Sequence, residues 1–290
     1  MSSISKVESG LLDPNSKIFD ILINNPPKWW RKAKDDDELY IDIRKYNEIM
    51  IYFRGGRAAG IKYSLEKKDL IVTAHPKYLG FTDKSDTNYY KNDKDHTPIY
   101  QPCEDWLENR MDELKNNIST YYTGEKKGEE TSEKLIQGEL IINGRDKYLD
   151  SEFSHRYLEG QRLSIRIDLV KIENNRIVFE ELKRIRDPRL MNKEMNPEIL
   201  IQMRQYKDFL DANASELEAY YRVLYRIKVA LGLPVPHVQD VDSLVVDTEP
   251  QLLIANNYDK TKRIQKREQR INNIEYILKS NNFVYRIEEL

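Results

Sequence analysis

The chain has 290 residues, 33% of them charged, 39% in the hydrophobic set, and a formal net charge of −2. No apolar run approaches the roughly 20 residues that span a bilayer, which argues against a membrane protein and leaves core enough for one large or two modest domains. So balanced a charge supplies no general basic field, and a polyanionic partner must be drawn by local patches or a bound metal.

Taken in order, the opening MSSISKVESG lacks the apolar stretch of a signal peptide. One cysteine, Cys103, with no metal-ligand spacing around it, fits a reducing cytoplasm. KIFDILINN is a first possible element, followed by Pro26-Pro27-Lys28-Trp29-Trp30. The Trp pair is read as core or inter-domain packing, with a base-stacking platform as the alternative. Alternating segments at 39–45, 48–55, 60–65 and 69–75, divided by Tyr46-Asn47, Gly55-Gly56 and Lys67-Lys68, predict an antiparallel meander. Arg54, Arg57 and Lys62 are read as a solvated face, with phosphate contact as the alternative. The polar run DKSDTNYYKNDKDH reads as an exposed loop or linker. Residues 1–100 are therefore taken as a β-rich N-terminal domain and 101–290 as a second domain.

Cys103 to Tyr122 carries Trp106, Met111, Leu114 and Ile118 at helical spacing and predicts one amphipathic helix. Beyond the charged run TGEKKGEE, Thr131-Ser132-Glu133 caps a further helix. KYLDSEFSHRYLEG reads as an edge strand from which Asp150 or Glu152 could reach a site, with surface placement the alternative. His155 is assigned a structural or substrate-contacting role. His75, His96 and His237 are scattered singles and make no zinc cluster.

The chemistry concentrates in SIRIDLVKIENNRIVFEELKR, residues 164–184. Ile165, Ile167 and Leu169 alternate with Arg166, Asp168 and Val170, the period of a strand with unlike faces. Glu173-Asn174-Asn175 suits a tight turn, because Asn tolerates left-handed backbone. The returning strand runs through Ile177, Val178 and Phe179 into Glu180-Glu181-Leu182-Lys183. Residues two apart share a side, so Glu181 and Lys183 project together, and hairpin pairing can bring Asp168 beside Glu181. Two carboxylates that converge repel one another unless a cation lies between them. Oxygen-only ligands with room for water suit Mg²⁺ or Mn²⁺ rather than zinc. A lysine alongside can orient a water and stabilise charge developing on a phosphate.

Arg184, Arg186 and Arg189 follow in KRIRDPRL, placed either along a phosphate backbone or against nearby acids. Helices are predicted over Glu198–Asp211 and Ser215–Leu231, the second ended by Gly232 and Pro234. The first carries Gln202 and Tyr206 on one face, four residues apart. Two strand-like pieces lie in 243–256. A last helix, Lys260–Lys279, has a basic stripe read as a solvated face, with a nucleic-acid track as the alternative, and FVYRIEEL closes with a strand. There is no internal repeat, P-loop or dinucleotide-binding loop.

Asp168, the spacer and Glu181-Leu182-Lys183, joined to Gln202-Met203-Arg204-Gln205-Tyr206, resemble the PD-(D/E)xK, restriction-endonuclease-like nuclease superfamily in its RecB-like branch with a Gln-x-x-x-Tyr helix. The resemblance covers roughly residues 130 to 290. Ile167 stands where the pattern carries Pro, and Glu180 stands where members usually carry an apolar residue, which leaves open which glutamate faces the metal. With the β-rich N-terminal domain read from the alternating segments, which the resemblance does not reach, the expected fold is α/β (α+β), and the resemblance implies for the rest a nuclease-like core with a mixed central sheet flanked by helices. It further implies catalytic roles for Asp168, Glu181, Lys183, Gln202, Tyr206 and Glu133, with Glu139 as a rival to Glu133. The metal, Mg²⁺ or Mn²⁺, would be held by Asp168, Glu181, the Leu182 carbonyl and Glu133. Arg184, Arg186 and Arg189 would contact nucleic acid.

The leading expectation is a metal-dependent phosphodiesterase acting on nucleic acid, DNA before RNA, in the cytoplasm and in defence against foreign DNA. Its N-terminal domain would recognise a trigger, substrate or partner protein, and a homo-oligomer is the other assembly considered. A second reading is a non-catalytic binding or assembly module on the same fold. A third places the acids in a surface ion-pair ladder, with the Gln-Tyr helix coincidental.

Overall fold

The computed structural model describes residues 12–80, 101–122, 132–156, 164–192, 196–257 and 264–289. The basic positions Lys260, Lys262 and Arg263 and the polar run after Gly80 lie outside them. Helices and sheets are both extensive, an α+β composition. No helix among the described residues is long and apolar enough to cross a membrane.

The chain divides into two compact units. The first comprises Gly10–Asp146 with Val223–Val235. It opens with α1 (Lys17–Asn24) and α2 (Lys28–Asp35), then the meander β1 (Leu39–Arg44), β2 (Glu48–Phe53), β3 (Gly56–Ser64) and β4 (Asp69–Ala74), with β5 (Gln101–Pro102) antiparallel to β4. The predicted turns are tight because their residues take left-handed backbone: Tyr46 and Asn47 at φ 62° and 59°, Gly55 at φ 77°, Lys68 at φ 53°. Ile43, Ile49, Ile51, Phe53, Ile61 and Val72 are buried, as are Ile18, Phe19, Trp29 and Trp30, so the Trp pair is packed inside.

Cys103 to Tyr122 is two helices rather than one, α3 (Glu104–Asn109) and α4 (Met111–Tyr122). Arg110, at φ −130° and ψ 30°, ends the first by donating its N–H to the Trp106 carbonyl and begins the second by accepting from Leu114 N–H. Its guanidinium lies 3.6 Å above the Trp106 ring, which fixes the corner. Helix α5 (Glu133–Asn143) is capped as expected, with Ser132 Oγ accepting from Leu135 N–H at 3.2 Å. A β-carbon on Gly138 would come within 2.5 Å of Gly55 N, so α5 lies directly on the β2–β3 turn and both positions require glycine. Helices α3 to α5 thus belong with the meander, and the division falls at Asp146/Lys147 instead of near residue 100.

The second unit comprises Lys147–Arg222 and Pro236–Leu290. Strands β6 (Tyr148–Arg156), β7 (Ser164–Glu173) and β8 (Arg176–Arg184) form an antiparallel meander. Helix α6 (Glu198–Ala230) follows; then β9 (Val245–Val246) and β10 (Gln251–Asn256) both run parallel to β8. Helix α7 (Ile264–Ser280) leads to β11 (Val284–Glu289), parallel to β10. The sheet order is β11-β10-β8-β7-β6, which makes it mixed and places β6 at an edge. Asn174 and Asn175, at φ 50° and 61°, form the two-residue hairpin turn.

The two helices expected over 198–231 are one of 33 residues. Its irregular point is Asn213 (φ −127°), a fully buried residue whose amide donates to the Phe209 carbonyl at 2.9 Å and bridges the missing turn. Gly232, at φ 67°, stops it, with Leu233 N–H returning to the Lys228 carbonyl at 2.9 Å.

Candidate functional site

The pairing of β7 with β8 runs from Glu173↔Arg176 to Leu169↔Glu180 and ends there. On the other side, β6 pairs Ser151↔Leu169 and Phe153↔Ile167 but skips Glu152 opposite Asp168. Asp168 therefore sits where the sheet opens on both flanks. Its Oδ2 accepts from the Leu182 N–H at 3.0 Å, a side chain taking the place of the lost ladder bond.

From this opening the predicted residues converge. Lys183 Nζ contacts Glu181 Oε1, donates to the Leu182 carbonyl at 2.8 Å and lies 3.8 Å from Asp168 Oδ2. Glu181 and Lys183 are 3% and 1% exposed, so the cluster is an interior one and the surface-ladder expectation does not describe it. Helix α6 closes it from the side. Gln202 Nε2 donates to Glu181 Oε1 at 2.7 Å and to Tyr206 Oη at 2.6 Å. The Tyr206 hydroxyl stands within reach of the Arg166 carbonyl and, at 3.1 Å, of Glu181 Oε2. Both oxygens of Glu181 are thus held, and the Gln-Tyr spacing is what lets one helix face hold them.

The electrostatics follow. Burial, then the neighbouring Asp168 charge, raise the Glu181 carboxyl to about 7 in spite of Lys183. Burial and then Glu181 raise the Tyr206 hydroxyl, which keeps it neutral and able to donate.

Glu180 faces the other way, because successive strand residues alternate sides. It is fully buried and answered by Arg286, whose Nε and Nη2 lie 3.0 and 3.1 Å from its two oxygens, by Lys171 at 3.3 Å and by the Tyr148 hydroxyl at 3.2 Å. Burial would raise its pKa, but Arg286 and Lys171 reverse this and hold it below the usual carboxylate range. Glu181 is therefore the glutamate that shares a side with Asp168 and Lys183.

The remaining expected residues take no part in the contacts just described. Glu133 and Glu139 both lie on α5 in the first unit, Glu133 in its opening turn and Glu139 exposed; the cluster described above consists of residues of the second unit alone. Asp150 is buried and accepts from Tyr221 Oη at 3.2 Å and from Ser151 N–H at 2.9 Å. His155 is buried with its ring 5.3 Å from that of Phe209, a packing role. Arg189 is committed to Asp187 by a two-point bond of 3.0 and 2.6 Å, the acid-pairing outcome. Arg184 is half-buried and Arg186 exposed. Arg166 is the residue absent from the expected set. It stands two positions before Asp168 on the same side of β7, and the alternation that placed Asp168 already implied it.

Among the described residues no group of three or more His, Cys, Asp and Glu is arranged to hold a metal ion. Yet Asp168, Glu181 and the Leu182 carbonyl converge on one cationic centre, the Lys183 ammonium. Two carboxylates and a carbonyl are hard donors, suited to an ion that keeps several of its waters, as Mg²⁺ does. The chemistry of this donor set therefore suits Mg²⁺ or Mn²⁺ rather than zinc. No protein-family model, curated protein or solved structure matches this chain.

Proposed function

We propose that this protein is a divalent-metal-dependent nuclease that hydrolyses phosphodiester bonds of nucleic acid, DNA before RNA. The observation that carries the reading is the convergence of Asp168, Glu181 and the Leu182 carbonyl on one cationic point, with Lys183 at that point and Gln202 and Tyr206 bracing Glu181. Asp168, Glu181 and the Leu182 carbonyl would hold Mg²⁺ or Mn²⁺. When bound, the ion supplies charge neutralisation at the scissile phosphate and eases departure of the 3′ oxygen. Lys183 orients the attacking water and offsets charge developing on the phosphate. Gln202 and Tyr206 fix the Glu181 oxygens, so the site needs little reorganisation during the reaction. Arg186, exposed just beyond β8, lies along the bound backbone. A cytoplasmic role in defence against foreign DNA, with the first unit contacting a trigger, a partner protein or a second copy, completes the reading.

Purified protein with Mg²⁺ or Mn²⁺ should digest DNA, and Lys183→Ala should abolish digestion without unfolding the chain; full activity in that variant would remove the reading. One observation favours a second reading, a non-catalytic binding or assembly module: the Lys183 ammonium already satisfies Glu181 and the Leu182 carbonyl. Calorimetric titration with Mg²⁺ separates the two. A cleaving site releases or absorbs heat that Asp168→Ala erases, whereas a self-satisfied module gives none.

A further inference from the structure

At the open end of the site Arg166 contacts Glu152 across the β6–β7 pair. The Arg166 side chain is 58% exposed and that of Glu152 only 14%. Glu152 is at φ 53°, left-handed backbone that a residue with a side chain adopts at a cost, and the ladder skips it opposite Asp168. From this backbone the Glu152 side chain reaches Arg166. A fixed fork of donors suits the two oxygens of a phosphate as well as it suits a carboxylate. An ion pair open to water on its arginine side is weaker than a sealed one.

We propose that Arg166 is a phosphate-gripping residue at the mouth of this site, held in the absence of substrate by Glu152 and released to a backbone phosphate of nucleic acid when substrate arrives. The inference rests on the nuclease reading and adds the contact that seizes the polymer next to the bond to be cut. Glu152 acts as an internal stand-in for that phosphate.

The test uses the full-length chain and labelled single- and double-stranded DNA and RNA. Binding is measured without divalent ion over a range of salt, and digestion is followed with Mg²⁺. Arg166→Ala should weaken binding about tenfold and reduce the slope of log Kd against log salt by about one, the mark of one lost phosphate contact. Its effect on digestion should fall on KM more than on kcat. Arg166→Lys should recover part of the affinity, and Glu152→Gln should tighten binding about threefold by removing the competitor. A purely structural role for the pair would leave the salt slope unmoved. Should the natural chain bind and cut while Arg166→Ala keeps its Kd and slope, or Glu152→Gln weaken binding, this inference falls and the nuclease reading stands. Should the chain bind without cutting while Arg166→Ala loses affinity, the grip stands and the nuclease reading falls. Failure of the natural chain to bind any of the four probes removes both.

Discussion

Glu180 and Glu181 are neighbours on one strand, chemically identical and nearly equally sealed, at 0% and 3% exposure, yet their environments are opposite. On one face Glu180 meets Arg286 at two points, Lys171 and the Tyr148 hydroxyl, and its carboxyl is held low. On the other, Glu181 shares one ammonium, Lys183, with Asp168, and burial pushes it to about 7. Burial is common to both; at Glu180 the charges of Arg286 and Lys171 outweigh it, whereas at Glu181 the neighbouring Asp168 charge adds to it and Lys183 does not cancel the sum. A matched cluster holds strands together; an under-matched one retains appetite for a cation, which is why perturbed acids gather where chemistry is done.

The largest expected effect is on the matched side. Arg286→Met removes the two-point partner of a sealed carboxylate and should cost about 3 kcal/mol, because a buried charge left short of its partner is strongly unfavourable. Urea unfolding measures it, and a cost below about 1 kcal/mol would show that Glu180 does not bind β11 to the sheet. Next comes Lys183→Ala, which should reduce nucleic-acid digestion at least about a hundredfold. Its cost in stability should be smaller than that of Arg286→Met, since Glu181 can take up a proton once its ammonium is gone. If instead Lys183→Ala unfolds the chain and Arg286→Met does not, the two clusters have been assigned the wrong way round.

The two glutamates should also respond to pH with opposite signs. Glu181 titrates near 7 in the folded chain against an ordinary 4.5, so between those values the folded state binds more protons than the unfolded one. Stability therefore falls as pH rises from 4.5 to 7, by up to about 3 kcal/mol from this group. Glu180 is lowered, so its contribution is present above 4.5 and is lost as pH falls through its folded value. Thermal unfolding across pH 4 to 8 should show the neutral-side decline in the natural chain and a flatter curve for Glu181→Gln. An unchanged decline in that variant would place the responsible titration elsewhere.

Much of this arrangement is legible in the chain. Alternation through Ile165 to Leu169 and the Asn174-Asn175 turn give the hairpin and its register. The two-residue spacing joins Glu181 to Lys183, and the four-residue spacing joins Gln202 to Tyr206. What is hidden depends on distant or exceptional backbone. Arg286 answers Glu180 from 106 positions away, through two parallel pairings that no local pattern announces. Left-handed backbone at Glu152 has no signature, because glutamate is not a residue that seeks it. The corner at Arg110 and the continuity through Asn213 likewise depend on side-chain contacts, of Arg110 with the Trp106 ring and Glu113 and of Asn213 with the Phe209 carbonyl. Assignment of α3 to α5 to the first unit depends on packing such as the Gly55–Gly138 approach, which the linker-like run before them conceals.

The smallest effect lies in the loop after β8. Arg189 is already occupied by Asp187, whose carboxylate also accepts the Arg189 N–H at 2.8 Å, whereas Arg186 is exposed. Removing a guanidinium that has an acid to satisfy it forfeits only a partly exposed pair, so Arg189→Ala should cost less than about 1 kcal/mol and change nucleic-acid affinity little. Arg186→Ala should weaken binding about fivefold, the equivalent of about 1 kcal/mol for one phosphate contact. Asp187→Ala separates position from pairing. If pairing is what silences Arg189, freeing it should tighten binding and steepen the salt dependence, and a subsequent Arg189→Ala should then erase that gain. If Asp187→Ala leaves affinity unchanged, Arg189 is too far from the backbone to matter, and of the two arginines only Arg186 serves the polymer.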